Sequence, residues 1–560
     1  MSSVSHSLLD VVTGYHEATK HHPSRPSRGP GYLDWANQPE PFRRFEGAEC
    51  VALPLAGSDQ TPPYEALYRP GAIEGAPVTL ENLSHFLECS LAVSAWKAYQ
   101  GHRWALRCNP SSGNLHPTEG YLLAPALDGL HASPGVYHYM PDLHSLERRA
   151  ALSPECWERL TAGFPEGTFF VGLTSIIWRE AWKYGERAYR YCQHDAGHAL
   201  GALSYAAAML GWRCVWLRGL GDDDAAALMG VDREADFPPE EQELPALIAA
   251  VVPGGEEVEL PLALPREAVA AVAAGAWEGQ ANRLSEEHVQ WSLIDEAAEA
   301  CRKPPEALEP ASLHRAEASH ETASESCGLS ARAIILQRRS AVAMDGLSGI
   351  SRERFYTMLQ RLMPGHPSPP VEALPDAPRV HLLLFVHRVE HLLPGVYILP
   401  RSGDGEHGLR QACEGAFEWV PAEGRPEGVP LYRLVQGVCE ELATRVSLSQ
   451  DIAGEGAFSL GMLAEFEKPL EQYGPWYYRR LFWETGLLGQ ILYIEAEAAG
   501  LRGTGIGAFF DDTVHDTAGV TGRRFQSLYH FTVGGPVEDP RLSTLPPYPK
   551  SHERPKGSSA

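Results

Sequence analysis

Three short stretches hold the residue types that could carry chemistry. In RCNPSSGNLHPTEGYL, from Arg107 to Leu122, Pro110, Ser111, Ser112, Gly113 and Asn114 specify a tight turn, read as lying between a helix and a strand. Its backbone N–H groups, hydroxyls and amide converge on one concavity where an anion or a planar polar ring could dock. The same serines would serve equally as caps of an ordinary turn. QRRS, from Gln337 to Ser340, sets two guanidinium groups beside a hydroxyl. That pattern grips phosphate through paired N–H donors, and it also occurs in solvated basic patches. RGTGIGAFFDD, from Arg502 to Asp512, places glycine at every second position, so bare backbone can approach a flat ligand. A dinucleotide loop needs a strand before its glycines and a helix after them; here a helix comes first, which excludes that reading.

The elements that must position these stretches follow from periodicity. Residues 1–60 are rich in Pro, His, Arg and aromatics with little regular spacing, and read as an arm wrapped over a domain. Helical spacing begins at LENLSHFLECSLAVSAW (80–96), strands follow at GYLLAPA and GVYHYM, and one long helix runs from about Trp178 to Leu210. These make a first domain over 61–255. Residues 256–330 turn Ala- and Glu-rich, a linker with helices at PREAVAAVAAGAW and SEEHVQWSLIDEAAEACRK and a polar loop, HRAEASHETASES. A second domain covers 331–540, and a polar tail over 541–560 is expected to fray.

The two domains are copies. KYGERAYRYCQHDAGHALGALSYAAAMLGW, from Lys183, aligns without a gap on QYGPWYYRRLFWETGLLGQILYIEAEAAGL, from Gln472. Tyr184, Gly185, Tyr189, Arg190, Gly197, Ala207 and Gly211 meet Tyr473, Gly474, Tyr478, Arg479, Gly486, Ala496 and Gly500, and Asp195 meets Glu484. PGVY occurs in both copies, at 134–137 and 394–397. Ungapped identity in Tyr, Arg and Gly marks a duplication. Each long helix has a small, apolar stripe and stops at a glycine, so the two copies offer each other a partner, as two subunits would. His194 and His198 have the spacing of a zinc-protease helix, but Asp195 stands where that motif has Glu, and the second copy has Trp483 and Leu487. Packing is expected there and no metal. His21, His22 and the run Asp222–Asp224 read as solvated polar surface.

Composition sets limits. With 47 Lys plus Arg against 72 Asp plus Glu, the net charge of −25 repels nucleic acid and anionic lipid, so an anionic ligand needs a local basic cluster. An apolar fraction of 44% with 13 Trp, 21 Tyr and 17 Phe fits packed cores. The ten Cys are scattered without a Cys-x-x-Cys pair, which reads as reduced thiols, and no stretch is apolar enough to span a membrane. The expectation is a soluble cytoplasmic protein.

The run NPSSGNLHPTE, the WKYGERAYRY helix, the RRS opening and GIGAFFDD with YHFTVGGP resemble the nitroreductase superfamily, in particular its SagB-type or thiazole/oxazole oxidase branch. The resemblance covers most of 60–255 and 331–540. It implies an α+β fold with a mostly antiparallel sheet flanked by helices, FMN at the interface of two copies, and hydride transfer through the flavin. Carried over, it makes Arg338, Arg339 and Ser340 the phosphate holders, Gly505, Ile506 and Gly507 the ring wall, and Pro110, Ser111, Ser112 and Asn114 the turn contributed by the partner copy. The first copy has the turn but LYRPGAIEG in place of Arg-Arg-Ser and CVWLRGLGDD in place of the glycines; the second copy has the reverse. The resemblance thus implies one composite site and a lost mate. The Lys-Tyr pair of the azoline oxidases falls on Lys183 and Tyr184, with the Lys expected to lower the phenol's pKa and burial to lower its own; Gln472 replaces the Lys in the second copy.

The activity so implied is two-electron redox of a small or peptide-borne heterocycle or a conjugated electrophile, with NAD(P)H a candidate electron donor. The competing expectation is a flavin-binding or docking subunit of a peptide-modifying complex that has lost turnover. A zinc hydrolase on His194 and His198 ranks third.

Overall fold

The computed structural model describes residues 7–254, 259–305, 308, 326–413 and 417–548. Most of the loop HRAEASHETASES and all of SHERPKGSSA lie outside the described residues. Two seven-stranded, wholly antiparallel sheets dominate the molecule. In spatial order the first runs Glu49–Ala52, Ser145–Ala151, Gly135–Met140, Thr118–Ala124, Phe169–Ser175, Leu244–Pro253 and Trp212–Trp216. The second runs Val420–Pro421, Tyr432–Gln436, Gly395–Leu399, Val380–Val386, Phe458–Glu465, Phe525–Gly534 and Arg502–Ile506. Glu49–Ala52 precedes the rest of its sheet in the chain, whereas Val420–Pro421 falls between Gly395–Leu399 and Tyr432–Gln436, but the orders of the other six strands are the same. So are their registers: Phe169 faces Val251 as Phe458 faces Val533, and Arg213 faces Val252 as Arg502 faces Gly534. The match read from one helix therefore recurs in six strands of each sheet.

Between the sheets two 22-residue helices, Ala188–Met209 and Tyr477–Ala498, pack against each other, and the second is buried along its whole length. The crossing is close because glycine meets backbone: a Cβ on Gly197 would lie 2.2 Å from the Trp483 carbonyl oxygen, and one on Gly486 would lie 2.1 Å from that of His194. These two glycines are matched positions of the repeat. Reciprocal ion pairs join the halves. Arg190 donates to Asp511 at 2.9 Å, and its counterpart Arg479 donates to both oxygens of Asp222 at 2.8 and 2.7 Å. All four side chains are buried. Removing one partner of such a pair costs about 3–5 kcal/mol, because the other charge is left buried and uncompensated.

Several local expectations are corrected. The helix expected from Trp178 to Leu210 is two, Ile177–Tyr184 and Ala188–Met209, broken where Gly185 takes φ +55° and the Arg28 carbonyl crowds it. The helical reading of 80–96 holds only for Leu80–Glu88; Val93–Tyr99 is a strand, its β-branched start paired in a hairpin with His102–Arg107. The arm contains an unanticipated helix, Leu8–Ala18, closed by a Ser7–Asp10 capping box. His21 is not surface: its ring accepts from Ser27 N–H and its own N–H donates to Asp511. Asp222 is likewise buried under Arg479, so Asp222–Asp224 is only partly a solvated run. The tail expected from 541 begins as a strand, Ser543–Leu545, paired to Val93–Tyr99, and Tyr548 is buried.

Of the helices expected between the two halves, Arg266–Ala273 and Ser292–Ala300 are present. Arg266–Ala273 buries apolar residues against the first half, and Ser292–Ala300 packs mainly on the arm helix Leu8–Ala18. No helix among the described residues is long and apolar enough to cross a membrane.

Candidate active site

The Pro110–Asn114 turn lies between two strands, His102–Arg107 and Thr118–Ala124, not between a helix and a strand as expected. A single buried carboxylate seats it. Asp195, on the first long helix, accepts from the Ser112 N–H at 3.1 Å and from the Ser112 hydroxyl at 3.1 Å. The Ser111 hydroxyl accepts from His116 N–H, and the Asn114 amide donates to the Ala105 carbonyl. Gly113 holds φ +59° over the pair Lys183 and Tyr184.

From the second half, the chain through Arg338 to Ala341 runs beside the edge strand Arg502–Ile506, where Ala341 N–H donates to the Gly503 carbonyl. Tyr493, on the second long helix, ties the two together: its hydroxyl bonds to the Ser340 hydroxyl and accepts from Gly505 N–H, both at 2.9 Å. Arg338 reaches across to the first half and donates to the Cys108 and Arg107 carbonyls at 3.1 and 2.7 Å. It anchors the strand that leads into the turn. The Arg339 guanidinium donates to the Ser94 hydroxyl and to the Leu336, Arg338 and Ser94 carbonyls, and its backbone N–H donates to Glu497.

Of the site residues expected from the sequence, all but Lys183 line one cavity of about 770 Å³: Pro110, Ser111, Ser112 and Asn114 from one half, Arg338, Arg339, Ser340, Gly505, Ile506 and Gly507 from the other, with Tyr184 at its side. Lys183 sits behind Gly113, where a Cβ would come within 3.1 Å of its Nζ. The Ile506 side chain is buried in the core, so that residue meets the cavity through its backbone. Sequence reasoning missed Arg502, Tyr493, Tyr529 and Asp195 as lining residues. Arg502 opens the glycine stretch and Asp195 matches an acid in the second copy, so both left a signal; the tyrosines left none.

The electrostatics are uneven. Burial, and then the adjacent Arg338 charge, bring the Arg339 guanidinium down to about 10, and burial also depresses Arg338. Two crowded, partly desolvated cations would each be relieved by an anion. The flat glycine wall, the basic end and the volume fit FMN, whose phosphate and ring need those features. Tyr184 departs from expectation: burial, followed by Glu180, raises its pKa, and Lys183 Nζ stands 5.3 Å from the ring centroid. The phenol therefore stays protonated, a hydrogen-bond donor rather than a phenolate. His194 stacks on Tyr529, and His198 bonds the Tyr529 hydroxyl; burial brings His198 down to about 3, a packed neutral ring. Among the described residues no three His, Cys, Asp or Glu side chains converge as a metal site.

Comparison with known proteins agrees with the geometry. Residues 74–240 match the nitroreductase family. A Methanocaldococcus jannaschii protein named as a putative nitroreductase is 25% identical over 163 residues, 28% of this chain and 76% of that protein. The crystal structure of a protein given the same designation in Anabaena variabilis superposes over 94% of this chain and 99% of its own with a TM-score of 0.66, at 21% identity. The two-sheet architecture thus recurs in full in another protein. The family match thus falls within the first half of the chain, and the structural likeness extends over both halves as a mixed α+β fold.

Proposed function

We propose that the chain is an FMN-dependent oxidoreductase of the SagB-type, thiazole/oxazole oxidase branch, acting on a small or peptide-borne heterocycle or a conjugated electrophile, with NAD(P)H as a candidate electron donor. In this reading the halves 61–255 and 331–540, with the arm 1–60, linker 256–330 and tail 541–560, pair as a dimer within one chain. Ten unpaired thiols fit a cytoplasmic setting. The observation that carries the reading is the single cavity on which residues assigned from both halves converge.

FMN would supply two-electron hydride chemistry there. Arg338, Arg339 and Ser340, joined by Arg502, would hold its phosphate, with Arg338 also bracing the turn. Gly505, Ile506 and Gly507 would lie along the ring, and Pro110, Ser111, Ser112 and Asn114 would close it from the other half. Lys183 and Tyr184 would handle protons, the phenol as donor.

The mate position argues for one site. Arg213, Val215 and Trp216, the counterparts of Arg502, Thr504 and Gly505, line a second cavity of about 640 Å³ with Gly365, His366 and Pro367. There the bulk of Trp216 replaces the glycine, and no Arg-Arg-Ser segment is present. The experiment is FMN titration of the full chain. One FMN per chain is expected, with Arg339→Ala and Ser112→Ala each weakening that site although they lie in different halves. Two FMN per chain, or none, refutes the composite site.

A further inference from the structure

Two-electron redox of a substrate moves one hydrogen as hydride and one as a proton. If the flavin reading above holds, oxidation of a substrate XH2 yields X, a hydride passed to the flavin and a proton passed to the protein; reduction reverses both transfers. Tyr184, held protonated by burial, can donate a proton but not take one up, so the cavity needs a further group for uptake and storage.

Two carboxyls stand under the Ser111–Ser112 turn. Asp195 lines the cavity and is 2% exposed; Glu180, on the helix before it, is 0% exposed. No Arg or Lys forms an ion pair with either among the described residues, and neither Glu180 oxygen meets a donor in hydrogen-bonding geometry. The Ser111 hydroxyl approaches both and favours their charged forms, but burial outweighs it. The other groups that bear on them are Lys183 and Tyr184 on the Glu180 helix, Cys192 beside Asp195, and Tyr529 from the second sheet. Of these only Lys183 is a cation. Burial raises Glu180 well above the carboxylate range, helped by Asp195, and pushes Asp195 up to about 7.

The second copy supplies the contrast. In the ungapped alignment the counterpart of Glu180 is Pro469 and that of Asp195 is Glu484. Glu484 accepts from Arg401, Arg480 and the backbone N–H groups of Arg379 and Val380. Those two arginines outweigh burial and keep it below its usual range. The pair therefore survives only at the intact site. A buried, uncompensated acid pair is costly to stability, which is the pattern of a group kept for function.

We propose that Glu180 and Asp195 form a carboxyl pair that stores the redox proton and exchanges it with the cavity through the Ser112 hydroxyl. In the uptake direction the substrate proton passes to Ser112 Oγ while the Ser112 proton passes to Asp195. In delivery both shifts reverse. Glu180 is a positioning residue: its protonated, neutral form beside Asp195 keeps the latter's proton available.

The first readout is infrared spectroscopy of the flavin-free full chain, which is independent of the flavin reading. Two protonated-carboxyl bands are assigned by their loss in variants: one that disappears as pH rises through about 7 and is absent in Asp195→Asn, and one that persists above it and is absent in Glu180→Gln; Glu497, which burial also raises to about 7, adds a band that both variants keep. Turnover of the flavin-loaded chain should fall about 100-fold or more in Asp195→Asn, with loss of the ionisation near 7 from its pH profile. Ser112→Ala should keep both bands and lose turnover to a similar extent. Ionised carboxylates throughout, or protonated carboxyls with an unchanged rate and pH profile in Asp195→Asn, overturn the proposal. Both bands present in a chain that takes no flavin refute the flavin reading and leave the pair standing.

Discussion

Gly113→Ala probes how the turn is seated on the Lys183–Tyr184 pair. An added Cβ would lie 2.4 Å from Tyr184 Oη, 3.0 Å from Tyr184 Cε2 and 3.1 Å from Lys183 Nζ, on a residue at φ +59°. Two costs add. A side chain in left-handed backbone costs about 1–2 kcal/mol, and overpacking against a ring that is itself wedged against Tyr191, centroids 4.7 Å apart, costs about 1–3 kcal/mol. The total is about 2–5 kcal/mol of stability. The two costs separate in a double-mutant cycle with Tyr184→Phe, which deletes the atom at 2.4 Å and leaves the backbone strain untouched. Gly113→Ala should then cost less by about 1 kcal/mol or more. The assay is equilibrium urea unfolding of the full chain, followed by tryptophan fluorescence and circular dichroism together so that coincident transitions justify a two-state fit. An equal cost of Gly113→Ala in both backgrounds refutes the seating of the turn on Tyr184.

Lys183→Ala and Tyr184→Phe should each lower turnover while FMN remains bound, read by flavin absorbance of the purified variants; parallel loss of flavin would make the pair scaffold. Asp511→Asn should destabilise the chain by about 3–5 kcal/mol in denaturant, since Arg187 and Arg190 both depend on that carboxylate. The pH dependence has a definite sign. The two arginines outweigh burial and hold Asp511 below its unfolded pKa of about 3.9, so its contribution is present above that value and lost as pH falls through and below it. The wild-type midpoint should fall in acid more steeply than that of Asp511→Asn, and parallel profiles would remove Asp511 from the list of stabilising groups. Arg479→Ala should cost a similar amount by stranding Asp222, with a negligible change marking that ion pair as solvent-screened.

The internal match was legible in the sequence, because ungapped identity over a long helix is a local pattern that requires no knowledge of contacts. Tyr184, Arg190 and Gly197 met Tyr473, Arg479 and Gly486 before any fold was known, and six strands of each sheet repeat the match. Legible too was the division of the motifs, with the serine turn in one copy and the arginines and glycines in the other. That these segments face one cavity was only an inference from resemblance until the halves were seen packed.

What only the tertiary structure decided concerns burial and partners distant in the chain. Arg338, read as a phosphate holder, gives its guanidinium donors to two carbonyls more than two hundred residues away. Asp222, read as solvated, lies under Arg479, and the acidic run around it carries no local sign of that. Tyr184 was expected to ionise more easily because a lysine adjoins it, but desolvation by the packed halves works the other way and wins. Asp195 stood in the sequence as the middle of a histidine spacing and as the match of Glu484, and its role as the turn's anchor depends on a strand pair folded above it. Residue type and spacing fix which elements form and which are copies. The charge state and function of a side chain depend on how much water the rest of the chain removes and which partner it supplies, and neither is encoded within a local window.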